Sequence, residues 1–267
     1  MIAETQYTED LLTLDALFEG RVLLHQPRKG YRFSVDSPLL TWFSHSEKMS
    51  RKCADLGSGS GAVGIGLLAT KCVERVIAVE IQPRLASLSL ANARLNGFLD
   101  NYHLITGDMR AEHPMLELGT FDLVVSNPPF WPADAGRLPM QEERRIACHE
   151  IAITLEGVVA AAARLLTSRR GRFCIIFPAR RLEDLMSTLQ RFRLNATRVI
   201  FVHPRQTDPA AWVLLEAQHG RCDHLAVLPS LILKDTLAND TTDGMSVLSG
   251  AFSPVLAAIP DRRIMDC

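Results

Sequence analysis

The stretch that most constrains the fold is Asp55-Leu-Gly57-Ser-Gly59-Ser-Gly61-Ala-Val-Gly64, which follows an apolar run of strand length and leads into one of helix length. Small residues there let the backbone approach a ligand closely, and the N-terminus of the following helix offers unpaired N–H groups to a carboxylate or phosphate. A glycine turn of this kind belongs at a strand end of an open α/β sheet, where dinucleotide enzymes use a similar one. A purely structural turn meets the same spacing, so the surrounding residues must decide.

From about Cys53 onward, short β-branched runs alternate with amphipathic stretches, the pattern of an α/β fold with a mostly parallel sheet. Seven strands are predicted, near Lys52–Leu56, Arg75–Glu80, His103–Thr106, Phe121–Ser126, Arg172–Phe177, Arg198–His203 and Ala211–Glu216. Helices are predicted over Val63–Lys71, Pro83–Leu95, Leu155–Leu166 and Arg181–Arg191, the second stopped by Asn96-Gly97. Residues 1–50 break the alternation and read as an extension: a short strand, a basic turn (Gln26-Pro27-Arg28-Lys29-Gly30) and a helix opening after Ser37-Pro38. The alternation reads as one domain over 51–233, and 234–267, rich in Asp, Thr and Gly, reads as a loosely ordered tail.

With 47% apolar residues in 267, the chain can bury a substantial core, and its net charge of -1 supplies no global attraction to a polyanion. Any nucleic-acid contact must use a local patch. Cys53, Cys72, Cys148, Cys174, Cys222 and Cys267 are scattered without a CxxC pair or zinc spacing, which suits reduced structural thiols, a cytoplasmic setting and no metal. The N-terminus shows no signal-peptide pattern, and no apolar run approaches the roughly 20 residues that span a bilayer.

Two acids sharpen the glycine turn. Asp55 ends its strand just before the glycines, and Glu80 ends the next, placed to accept hydrogen bonds from ribose hydroxyls. Asp108 follows a third strand in Thr106-Gly107-Asp108. Beyond them lies Leu123-Val-Val-Ser-Asn127-Pro128-Pro129-Phe130, at the carboxyl end of a strand expected beside the glycine turn. An exocyclic amine is a poor nucleophile because its lone pair is delocalised. Accepting both of its hydrogens, at the Asn127 side-chain oxygen and the Pro128 carbonyl, favours a pyramidal nitrogen; Pro129 stiffens the loop and Phe130 stacks on the planar group.

Asp55-Leu-Gly-Ser-Gly-Ser-Gly with Glu80 and Asp108 resembles the cofactor site of the class I methyltransferases, and Asn127-Pro-Pro-Phe130 resembles their amino-methylating members. Further segments narrow the likeness: Gln26-Pro-Arg-Lys-Gly-Tyr31-Arg32-Phe33-Ser-Val-Asp36, Cys148-His149-Glu150, Phe201-Val-His203-Pro204 and Pro209-Ala-Ala-Trp-Val-Leu-Leu-Glu216. Together they are similar to the bacterial methyltransferases that modify adenosine N6 beside the anticodon of a valine tRNA. The resemblance implies a Rossmann-like class I methyltransferase fold, with helices on both faces of a seven-stranded sheet and an N-terminal extension closing the site. It implies S-adenosyl-L-methionine bound by Tyr31, Phe33, Asp36, Asp55, Gly57, Ser58, Gly59, Gly61, Glu80, Ile81, Asp108, Met109 and Asn127, with the target base at Asn127–Phe130.

For RNA, the expected phosphate contacts are Arg28, Lys29 and Arg32 before the glycine turn and Arg137, Arg144 and Arg145 after Phe130, with Trp131 stacking on a neighbouring base. These charges also suit a solvated surface, as do Arg180-Arg181, and His149-Glu150 suits a helix start. The enzyme alternatives are N5-glutamine methylation of a protein, guanine N2 methylation of RNA and DNA adenine methylation. The non-enzyme alternative is a silent nucleotide- or RNA-binding protein, which has little use for paired acceptors aimed at an amine.

Overall fold

The computed structural model describes residues 12–28, 32–128, 154–168, 170–220 and 224–234. The expectations placed on Lys29, Tyr31, Pro129, Phe130, Trp131, Arg137, Arg144, Arg145, His149 and Glu150, and on the tail after Lys234, lie outside the described residues.

The strands are β1 (Leu12–Leu17), β2 (Val22–Pro27), β3 (Ser50–Leu56), β4 (Val73–Glu80), β5 (Tyr102–Thr106), β6 (Leu123–Ser126), β7 (Arg172–Pro178), β8 (Leu194–Arg205), β9 (Trp212–His219), β10 (Ala226–Val227) and β11 (Leu231–Lys234). The helices are α1 (Asp36–Phe43), α2 (Ala62–Ala69), α3 (Pro83–Leu95), α4 (Leu155–Leu165) and α5 (Leu182–Arg191). The main sheet runs β10-β8-β9-β7-β6-β3-β4-β5, with β11 also on the outer edge of β8. All its pairings are parallel except those of β9. All seven predicted strands are present, and the sheet adds β10 and β11, whose short runs carry too little alternation to announce a strand.

Alternate residues of each strand feed two cores, which puts helices on both faces. On one side Cys53, Val76, Val125 and Cys174 pack with α1 and α2. On the other Ala54, Ile77, Val124, Phe173 and Ile175 pack with α4 and α5. Because both faces are covered, the central strands read as nearly continuous apolar runs.

Local chemistry sets the helix limits. Pro83 opens α3 and Asn96-Gly97 closes it, with Gly97 at φ 76. Thr154 caps α4 by accepting the Gly157 N–H at 3.1 Å.

The first fifty residues depart from expectation, because the single predicted strand is a β1–β2 hairpin. Its turn runs through Phe18, Glu19 and Gly20, all at positive φ (52, 58 and 85). Only Gly20 is a usual turn residue there, so the sequence signal was weak. Among the described residues, no helix is long and apolar enough to cross a membrane, and no group of His, Cys, Asp and Glu is arranged to hold a metal ion.

Candidate active site

Strand order reverses between β3 and β6, and in open α/β sheets ligands bind beyond the carboxyl ends of the strands at that point. Leu56 lies opposite Ser126 in the ladder, and the Ser126 hydroxyl donates to the Leu56 carbonyl at 2.8 Å. Gly57 and Asn127 are therefore the next residues of adjoining strands, which brings the two sequence motifs together.

The glycine turn is built on positive φ at Gly57 (77), Gly59 (57) and Gly61 (87). At Gly61 a β-carbon would also lie 2.7 Å from Ser89 Oγ and 3.0 Å from Tyr102 Oη, so glycine is required twice over. Asp55, buried at 1% exposure, accepts the Gly64 N–H at 3.0 Å in the first turn of α2. Burial lifts its carboxyl to about 7, with the Gly64 N–H opposing and the Glu80 charge adding to the rise. Asp55 thus organises the turn from beneath.

Glu80, at 5% exposure, accepts the Gly59 N–H on Oε2 at 2.8 Å and the Gln82 N–H on Oε1 at 2.9 Å. Burial raises its carboxyl, and the N–H groups of Gln82, Gly59 and Ile81 oppose that. Each oxygen keeps a further lone pair, which suits the two hydroxyls of a ribose. The positive-φ cradle and this buried acceptor fit an adenosyl group. Ile81 is half-buried against the core, and Met109, buried at 2%, lies 3.7 Å from where a Gly57 β-carbon would sit. Asp108 is gripped by Arg110, whose side chain and backbone N–H both donate to it, and these bonds hold its carboxyl below the usual range. Its carboxylate is thus held by Arg110 beyond the end of β5.

Asn127 is half-buried, and its Nδ2 donates to Asp36 Oδ2 at 3.0 Å. Its Oδ1 is buried and has no hydrogen-bond partner among the described residues. Such an atom costs free energy, so an orphaned acceptor at a strand end in the crevice marks a place for an N–H donor. The Pro128 residue beside it is buried. Asp36, expected at the cofactor, has Oδ1 taken by the Ser34 N–H and hydroxyl and the Ser37 N–H at 2.9–3.0 Å, and Oδ2 by Asn127.

Helix α1, which carries Asp36, is held from its far end. Arg198 donates to the Phe43 carbonyl at 2.6 Å and Arg172 to the Ser44 carbonyl at 2.9 Å, while both pair with the buried Glu216 at 3.0 and 3.1 Å. Burial works to raise the Glu216 carboxyl, but Arg198, Thr197 and Arg172 outweigh it and hold it below the usual value.

Of the basic residues expected at RNA, Arg28 is exposed. Arg32 is engaged within the hairpin, donating to Thr13 Oγ1, the Pro27 carbonyl and Asp15 Oδ2 at 2.7–3.0 Å. Phe33 packs half-buried against the core. Sequence reasoning missed Asn92, which bonds the Ser60 carbonyl in the glycine turn at 2.9 Å, and the Ser89–Tyr102 hydrogen bond beneath Gly61. The available signal was polar residues at positions of α3 that face inward.

The family described as the methyltransferase small domain matches residues 36–144. Bacterial proteins named tRNA1(Val) (adenine(37)-N6)-methyltransferase are relatives. The one from Porphyromonas gingivalis is 34% identical over 149 residues, 55% of this chain and 57% of the relative. That from Yersinia enterocolitica is 31% identical, covering 63% of this chain and 64% of the relative. That from Dickeya chrysanthemi is 26% identical, covering 86% and 90%. The alignment with the Porphyromonas protein thus spans little more than half of that protein's length. Among solved structures, a predicted O-methyltransferase from Agrobacterium tumefaciens superposes with a TM-score of 0.61 at 19% identity, covering 81% of this chain and 96% of the other. A geranyl diphosphate C-methyltransferase from Streptomyces coelicolor, solved with S-adenosyl-L-homocysteine, gives 0.51 at 12% identity, covering 69% and 75%. These likenesses establish the fold.

Proposed function

We propose that this chain, whose residues 36–144 match the methyltransferase small domain and whose fold is that of the class I methyltransferases, is an S-adenosyl-L-methionine-dependent N-methyltransferase acting on the exocyclic N6 of an adenine in tRNA, in the anticodon loop beside the anticodon. The observation that carries this reading is the buried Oδ1 of Asn127 at the end of β6, next to the glycine turn, which has no partner among the described residues. An acceptor so placed suits a group that brings N–H bonds.

When bound, the cofactor supplies an electrophilic methyl group. The Glu80 carboxylate receives the ribose hydroxyls, and Gly57–Gly61 lets the chain approach the methionine end. Asn127 Oδ1 and the Pro128 carbonyl each accept one hydrogen of the target amine, which turns its lone pair out of conjugation. Phe130 stacks on the base and holds it in line. No strong base is needed, since the amine nitrogen becomes acidic only after alkylation. Residues 1–50 close the site over the domain, which acts in the cytoplasm. Arg28, with Lys29, Arg144 and Arg145, meets phosphates, and Trp131 stacks on a base already unpaired in the loop.

The test is to incubate the purified protein and labelled S-adenosyl-L-methionine with total tRNA from cells lacking it, then analyse nucleosides by mass spectrometry. N6-methyladenosine is expected, and an Asn127→Ala variant should bind cofactor but transfer no methyl. Label in methylguanosine or in protein, or no transfer, overturns the adenine assignment.

A further inference from the structure

A side-chain amide can sit either way round, and the two orientations of Asn127 present opposite chemistry to the crevice. One offers an acceptor, which welcomes an amine. The other offers two N–H donors, which repel it. The structure assigns the choice between them to Asp36: its carboxylate accepts from Asn127 Nδ2 and so turns Oδ1 away from itself as the free acceptor of the amide. Asp36 is thus a positioning residue that makes the site select a donor group, an inference that rests on the proposed N-methyltransferase reading.

Three observations carry it. Asn127 Nδ2 lies 3.0 Å from Asp36 Oδ2, and a carboxylate oxygen there accepts from N–H and opposes another carbonyl oxygen. Asp36 has no slack with which to follow a rotated amide, because its Oδ1 is fixed by Ser34 N, Ser34 Oγ and Ser37 N, and Ser37, Leu39 and Leu40 of the same helix are buried at 0–3% exposure. The opposite atom of the amide, Oδ1, is buried and has no partner among the described residues, which is the state expected of a group whose partner is a substrate. The contact joins residues 91 apart in sequence, on an element outside the strand alternation, so no single motif contains it.

The decisive experiment is an exchange of the two side chains, scored against each single change. Asp36→Asn replaces the carboxylate with an amide that pairs with Asn127 in either orientation, so kcat falls by about 10- to 100-fold while KM for S-adenosyl-L-methionine stays within about twofold. Asn127→Asp sets two carboxylates against each other and is also poorly active. In Asp36→Asn with Asn127→Asp, the new amide donates to one carboxylate oxygen and the other still faces the crevice as an acceptor, so kcat recovers about tenfold over the Asp36→Asn single. A double variant no better than the Asp36→Asn single, an unchanged kcat in Asp36→Asn, or a loss confined to KM for the cofactor overturns the role.

A second readout does not depend on turnover. In 15N NMR of the protein without cofactor, the Asn127 side-chain amide, identified by its disappearance in Asn127→Asp, exchanges slowly with water. Asp36→Ala speeds that exchange, and an unchanged rate overturns the inference. If the wild-type protein methylates guanine or glutamine instead, the adenine reading falls and the exchange of side chains is scored on that amine. If it transfers no methyl group, the proposed function falls and the amide resonance alone decides the role of Asp36.

Discussion

Asn92 in α3 treats His25 of β2 as a neighbouring strand would: its Oδ1 accepts the His25 N–H at 2.7 Å and its Nδ2 donates to the His25 carbonyl at 3.0 Å. Asn96, one turn on, does the same for Leu23, at 3.1 and 2.6 Å. The match is geometric, since four residues of helix rise about 6 Å and two residues of strand about 6.6 Å. Two amides spaced along a helix thus cover the outer edge of a hairpin that otherwise stands open.

Replacing Asn92 by Ala strips partners from the His25 N–H and carbonyl and from the Ser60 carbonyl. Urea denaturation should show a loss of about 1–3 kcal/mol, with faster amide exchange at Leu23 and His25. Wild-type stability in this variant would mean that water replaces the bonds at no cost.

Gly61→Ala and Gly20→Ala separate strain from crowding. Both sites have positive φ (87 and 85), but only at Gly61 does a β-carbon meet anything within 4 Å, namely Ser89, Ile65 and Tyr102. Each change should destabilise by about 1–3 kcal/mol through backbone strain, with Gly61→Ala at the upper end or beyond. Calorimetric titration should show S-adenosyl-L-methionine binding weakened only in Gly61→Ala. Equal weakening in both would place the cofactor elsewhere.

The sheet and the two motifs were legible because each is carried by adjacent residues: the strand runs, the glycine turn, and Asn127-Pro128 at a strand end. What the sequence withheld is pairing across distance. Nothing near Asp36 reveals that its carboxylate is held by Asn127, or that Arg32 turns back onto Asp15, because both depend on how the first fifty residues fold onto the domain. The β1 strand was missed for a local reason, since Phe18 and Glu19 adopt a backbone region that their side chains do not favour.

Glu216 bridges two guanidinium groups that also hold the carbonyls of Phe43 and Ser44 at the C-terminal end of α1. Glu216→Ala leaves Arg172 and Arg198 without their shared counter-charge in a largely buried setting and should cost about 3–5 kcal/mol in chemical denaturation. Methyl transfer should fall as well, through looser placement of Asp36. Full activity in a folded Glu216→Ala protein would show that α1 is held by packing alone.

Two buried groups pull the pH dependence of stability in opposite directions. Asp55, raised to about 7 chiefly by burial, contributes stability that is full below the ordinary carboxyl value of 3.8 and lost as pH rises through about 7. His45, lowered to about 4 by burial and then by Arg172, contributes stability that is full above 6.5 and lost as pH falls through about 4. Thermal melts between these limits should therefore tilt oppositely: relative to wild type, stability of Asp55→Asn rises more steeply with pH, and that of His45→Gln less steeply. Parallel profiles would show that neither group changes its proton affinity on folding.

The distance of 67 positions in sequence from His25 to Asn92 also imposes an order in time. The hairpin leaves the ribosome well before α3 has been made, and its outer edge waits through the synthesis of the glycine turn and β4 for the two asparagines that close it. The hairpin is consequently made early and fixed late, its edge closed only by residues synthesised long after its own.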